Sequence, residues 1–147
     1  MKTFFKILLV IGIVIAVLIG LVIGIAFFAV NSQTTNEEIT FGDDVIPTIY
    51  AVLGERKVVS VSSGFKNDVS YKTMTYDENV ISNDDINDYG LHLKEEEDFI
   101  VTENNSDLIQ LAKESVDEGE LILVNIMKEG NSVVIEYRKG EGTLTIY

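Results

Sequence analysis

The residues with the best claim to chemistry lie between Asp85 and Glu96, in the stretch DINDYGLHLKEE. Counted from Asp85, Asn87 is third, Gly90 sixth and Glu96 twelfth. That is the spacing of an EF-hand loop, in which side-chain oxygens and a terminal bidentate Glu surround calcium and a Gly makes the sharp turn. The pattern fails at the fifth position, where Tyr89 replaces an oxygen ligand, and at the eighth, where His92 replaces an aliphatic. The same stretch places Ile86, Tyr89 and Leu93 at the i, i+3, i+7 spacing of one helix face. A helix holds the carboxylates apart, and it is the expected form. Asp85, Asn87 and Glu96 stand as weak metal candidates; no metal site and no cofactor is assigned.

The other acids cluster at Asp84, Asp85 and Asp88, at Glu95 to Asp98, and at Asp117, Glu118 and Glu120. Paired carboxylates perform acid–base or glycosidic chemistry only when a cleft brings them together. Beside helix ends and turns, such runs are usually solvated faces. His92 is the single histidine, so a multi-histidine metal site is excluded. With no cysteine, thiol catalysis, redox motifs, cysteine–zinc sites and disulfides are excluded too. No catalytic residue is assigned, and the chain is not expected to be an enzyme.

What must position these residues begins with Ile7–Val30, which is entirely apolar or glycine. As a helix it is about 36 Å long, against a hydrocarbon core of about 30 Å. It is too long for a signal-peptide core of about 7–15 residues, and Val30-Asn31-Ser32 is a mediocre cleavage site. Lys2 and Lys6 precede it and Glu37, Glu38, Asp43 and Asp44 follow, so the positive-inside rule puts the N-terminus in the cytoplasm. The expectation is a single-pass cell-membrane protein with its C-terminal part outside. Membrane lipid is then one partner. Gly12, Ala16, Gly20 and Gly24 form a small-residue stripe suited to close helix packing, with a partner helix or in a homodimer.

The expected organisation is a cytoplasmic N-terminus over 1–6, a transmembrane helix over 7–30, a polar stalk over 31–42 and an acidic extracytoplasmic domain over 43–147. Two of the 11 Lys and Arg precede the apolar run, leaving nine against 24 Asp and Glu, a formal charge of −15. Such a surface repels nucleic-acid phosphates, so no nucleic-acid partner is expected.

In the outer domain Lys57–Ser63 and Val69–Tyr76 alternate around the turn cluster Gly64–Asp68 and read as a hairpin. Asp43 or Asp44 could cap a short helix opened by Pro47, or Pro47 could begin an extended segment. Ser82–Asp85 starts a helix that ends near Glu97, and Phe99–Val101 follows as a short strand. Asp107–Ser115 fits helix or strand and tilts to strand. Leu121–Met127 and Ser132–Arg138 form a second hairpin, and Gly140-Glu141-Gly142 turns into a last strand over Thr143–Tyr147. The fold class expected is α+β: a transmembrane helix, then an antiparallel sheet with one main packing helix. Tyr89, Leu93 and Phe99 entering a strand, followed by a long meander, loosely resemble small membrane-anchored or lipoprotein domains of Gram-positive bacteria. That resemblance implies a cell-surface setting and no chemistry.

These features favour a binding or scaffolding module. The alternatives are a calcium-responsive surface domain and, less favoured, a carboxylate-dependent hydrolase.

Overall fold

A computed structural model describes residues 37–144. The apolar run and the stripe Gly12, Ala16, Gly20 and Gly24 lie outside the described residues. Among the described residues the order is β1 (Glu38–Phe41), β2 (Asp44–Pro47), α1 (Ile49–Leu53), β3 (Val58–Lys66), β4 (Val69–Asp77), α2 (Asn83–Glu96), β5 (Ile100–Asn104), β6 (Leu108–Glu114), β7 (Glu120–Glu129) and β8 (Ser132–Glu141). β1 and β2 form a hairpin of their own. The other strands form one antiparallel sheet in the order β3-β4-β8-β7-β6-β5. The domain is therefore mostly β, with two helices. None of the described helices is long and apolar enough to cross a membrane.

Alternation builds the sheet. β4 turns Met74 and Tyr76 inward, β8 turns Val133, Ile135 and Tyr137 inward, and β7 turns Ile122, Val124 and Ile126 inward. β7 and β8 sit at the centre, as the apolarity of Leu121–Met127 requires. The β3–β4 turn is tighter than Gly64–Asp68. It is the dipeptide Asn67-Asp68, with φ of 52° and 60°. Asn and Asp tolerate that left-handed conformation, and it matches the twist of the flanking strands. Gly64 is a strand residue, and it is glycine because the Tyr71 ring lies across it: a Cβ there would stand 2.7 Å from the Tyr71 hydroxyl oxygen.

Asp107–Ser115 resolves as the strand β6. The expected turn at Gly140-Glu141-Gly142 is not made. β8 runs through Gly140, opposite Leu121, to Glu141, and residues 142–144 belong to no strand. Glycine is at 140 for packing: a Cβ would lie 2.9 Å from a Val69 methyl.

The folded domain also begins earlier than composition suggested. Glu38–Phe41 is strand, not stalk, and Ile39 pairs with Ile46 across the hairpin, both fully buried. One inward isoleucine among polar neighbours is a weak sequence signal, and it decides the matter. Pro47 neither opens a helix nor starts a strand; it closes β2. Thr48 takes the N-cap position of α1, and Asp44 is a buried strand residue.

α2 is the element the sequence marks best. Ser82 and Asp85 form a capping box: the Ser82 hydroxyl accepts from the Asp85 amide at 3.1 Å, and the Asp85 carboxylate accepts from the Ser82 amide at 2.8 Å. Ser82→Ala should lower stability by about 1 kcal/mol, read as an earlier urea midpoint with an unchanged slope. An unshifted midpoint would mean the cap is not holding the helix. Ile86, Tyr89 and Leu93 of α2, Ile49 of α1 and Ile39 and Ile46 of the hairpin join the same core as Met74, Tyr76, Leu111 and Ile135. Both helices and the hairpin thus cover one face of the sheet.

Candidate functional site

The expected calcium loop is the helix α2. Asp85 and Glu96 are separated by about 16 Å of helical rise, and Asp85 is spent on the cap and on Arg56, 3.1 Å away. Ser82 hydrogen bonds and Arg56 hold the Asp85 carboxyl below its ordinary range despite partial burial. Asn87 is exposed at the rim of a small groove. Asp85, Asn87 and Glu96 are not brought together. Among the described residues no three acidic or histidine side chains group as a metal cage. The acids at Glu95–Asp98 are offset by Lys94 in the last turn and by Lys113 of β6, which stands 4.0 Å from Glu97 and 4.8 Å from the centre of the Phe99 ring. His92 is half-buried on the helix.

The densest polar cluster is elsewhere, and most of it escaped the sequence reading. Lys139 lies on the inward side of β8 with 8% exposure, and Asp44 of β2 is 3% exposed. Their charged groups meet at 2.8 Å. The ammonium also bonds Asp117, approaches Glu120 at 3.3 Å, and donates to the Phe41 carbonyl at 3.3 Å. Asp44 in turn accepts from the Ser115 hydroxyl at 2.6 Å and from the Val116 amide at 3.0 Å. Burial pushes the Asp44 carboxyl up, but the bonds from Lys139, Ser115 and Val116 outweigh it and hold the carboxyl below the usual range. Burial likewise opposes the Lys139 charge, and the carboxylates of Asp117, Asp44 and Glu120 reverse that and push the ammonium up.

Ser115 beside a lysine invites comparison with a serine–lysine hydrolase. That chemistry needs a neutral amine to take the hydroxyl proton. Here three carboxylates keep Lys139 charged, and Ser115 donates to a carboxylate that a cation already holds. The cluster is a clasp fastening the β1–β2 hairpin to the main sheet. Its sequence signal was present: Val133, Ile135, Tyr137 and Lys139 share one face, so an inward lysine required a buried acid.

Two hollows remain. One, about 260 Å³, lies between α2 and the β5–β6 turn; Asn83, Asn87, Asn104 and Asn105 rim an apolar floor of Ile86 and Ile126. It falls below the roughly 300–1,000 Å³ of ordinary small-molecule sites. The other, about 430 Å³, is bounded by Lys66, Asn67, Val69, Tyr71, Glu136 and Arg138 on the sheet's second face.

That second face is the most distinctive surface. No described helix or hairpin covers it. It displays half-buried Val69, Tyr71, Leu121, Leu123 and Met127. Between them a hydrogen-bonded row crosses the strands: Thr102 to Gln110 at 2.9 Å, Gln110 to Asn125 at 2.9 Å, Asn125 to Glu136 at 3.2 Å, and Arg138 to Glu136 at 2.7 Å.

No protein-family model, no curated protein and no solved structure matches the chain.

Proposed function

We propose that this chain is a single-pass membrane protein whose extracytoplasmic domain acts by protein association rather than catalysis. The observation that carries the binding half is the second face of the six-stranded sheet. One side is covered by α1, α2 and the hairpin. The other presents Val69, Tyr71, Leu123 and Met127 around an ordered polar row. A sheet face of mixed character is a ready docking surface. The anchoring half rests on the length of Ile7–Val30 and the charges at its two ends.

The absence of cysteine makes the topology directly testable. Single-cysteine variants Thr3→Cys and Ser106→Cys should behave oppositely in intact cells. A membrane-impermeant maleimide should label Ser106→Cys, on the exposed β5–β6 turn, and should reach Thr3→Cys only after lysis. The reverse pattern, or labelled protein released without its first residues, would end the anchored reading.

A further inference from the structure

The two edges of the six-stranded sheet are built differently. β5 is five residues long, carries Glu103, and is bent by a register shift between Val101 and Glu103. Such devices discourage a further strand from adding. β3 is nine residues long, and after a shift between Val58 and Ser60 it runs in unbroken register from Ser60 to Lys66. Its one charge is Lys66, at the end. Val59 and Phe65 stand 59% and 69% exposed upon it. Among the described residues no strand neighbours the outer row of β3 N–H and C=O groups.

Charge says what this edge can meet. The domain is strongly acidic, and copies of it repel one another over most of their surface. Residues 56–67 are the longest run after Glu37 without an acid, and they contain β3. It is the place where two copies approach with least repulsion.

The sequence is also self-complementary there. Antiparallel pairing of the unbroken segment about a two-fold axis at Ser62 sets Ser60 opposite Gly64 and Val61 opposite Ser63, and brings Val59, at the bulge, to the end of the ladder that Phe65 occupies in the other copy. Each copy's exposed valine then lies at the same end of the ladder as the other's exposed phenylalanine, twice. Small side chains occupy most of the middle, so little obstructs the approach of two backbones to strand spacing.

We infer that β3 is a self-association edge: two copies of this chain pair β3 against β3, antiparallel about Ser62, continuing one sheet through both domains. This deepens the association reading by naming the partner, a second copy, and does not depend on which side of a membrane the domain occupies. Main-chain hydrogen bonds supply the contact, and Val59 with Phe65 at each end of the ladder supplies the register.

The test uses the full chain purified in mild detergent. A single Ser62→Cys substitution places two thiols face to face at the axis, within the 4.4–6.8 Å Cα separation a disulfide needs. On mild oxidation it should form a dimer band at least about tenfold stronger than Ser60→Cys, whose partner in this register is Gly64, or Val101→Cys on the β5 edge; that ratio is about 1.4 kcal/mol of preference. Adding Val59→Lys and Phe65→Lys to the Ser62→Cys chain should abolish the band, with the urea midpoint showing the domain still folded. Equal bands at all three cysteines would mean random collision, and no band at Ser62→Cys would mean an unpaired edge. Either result overturns the proposal. If Ser62→Cys stays monomeric while the maleimide topology test succeeds, the anchored reading survives and this one does not.

Discussion

Lys139→Met should cost about 3 kcal/mol of folding stability at neutral pH, because it strands a buried carboxylate. Asp44 would keep the Ser115 hydroxyl and the Val116 amide but lose the ammonium that stands 2.8 Å from it. For a domain of this size that corresponds to a melting temperature lower by about 10 °C or more. Asp44→Asn added to Lys139→Met should recover part of the loss, since a neutral amide is cheaper to bury than an unpaired charge. A Lys139→Met domain within about 1 kcal/mol of the parent would show that the clasp is solvated.

The sign of the pH dependence follows from the same contacts. The folded Asp44 carboxyl titrates below its ordinary value. Its contribution is therefore present above the unfolded pKa, about 3.9, and is lost as pH falls through the lower folded value. Lys139→Met removes that contribution, so the gap between variant and parent should narrow below about pH 4. For Lys139, whose pKa is raised, the contribution is complete below the unfolded value of about 10.4 and is lost only above it. The neutral range lies between the two, where the clasp is fully charged.

The second large effect is expected at the buried tyrosines. The Tyr89 hydroxyl donates to the Pro47 carbonyl at 2.8 Å and lies 2.9 Å from the Tyr137 hydroxyl. A phenol has one proton. With that proton directed at Pro47, Tyr137 must be the donor to Tyr89. Tyr89→Phe then removes the donor to Pro47 and leaves the buried Tyr137 proton without an acceptor, costing roughly 2–4 kcal/mol. Tyr137→Phe removes only a donor to an oxygen that keeps its own bond, and should cost about 1 kcal/mol. Paired urea titrations decide it: the order Tyr89→Phe worse than Tyr137→Phe is required, and the opposite order would reverse the donor assignment. Both rings are fully buried, and burial pushes both hydroxyls well above the ordinary phenol pKa.

How much of this was legible depends on range. Local signals read true. The Ser82–Asp85 cap, the 86/89/93 spacing, the alternation in β4 and the apolar run and turn of the β7–β8 hairpin each rest on neighbours in the chain. The ambiguous 108–114 segment became strand because β7 supplies a ladder and an apolar face for Leu111, a partner no local propensity reveals. Glycines misled in the other direction. Gly64 and Gly140 look like turn residues by composition, yet both are strand positions that need glycine because side chains from β4, Tyr71 and Val69, crowd their Cβ positions. Asp44 and Lys139 meet across 95 residues. Alternation could have exposed Lys139 as an inward charge, but nothing near Asp44 names its partner. The acids that looked most like ligands were a helix cap and a solvated helix end, and Asp117 and Glu120, read as surface, hold the buried cation.

One consequence of the clasp concerns mechanical load. The chain enters the domain at Glu37, whose carbonyl accepts from both the amide and the hydroxyl of Thr48, at 2.8 and 3.0 Å. Tension applied from the N-terminal side would act on the open end of the β1–β2 ladder and load its rungs one at a time. It then reaches Asp44, where the ionic tie to β8 couples the force to the middle of the large sheet. Strands there resist as a block. Pulling from that side would therefore open the hairpin before it loads the large sheet, and Lys139 marks where the load would pass from one to the other.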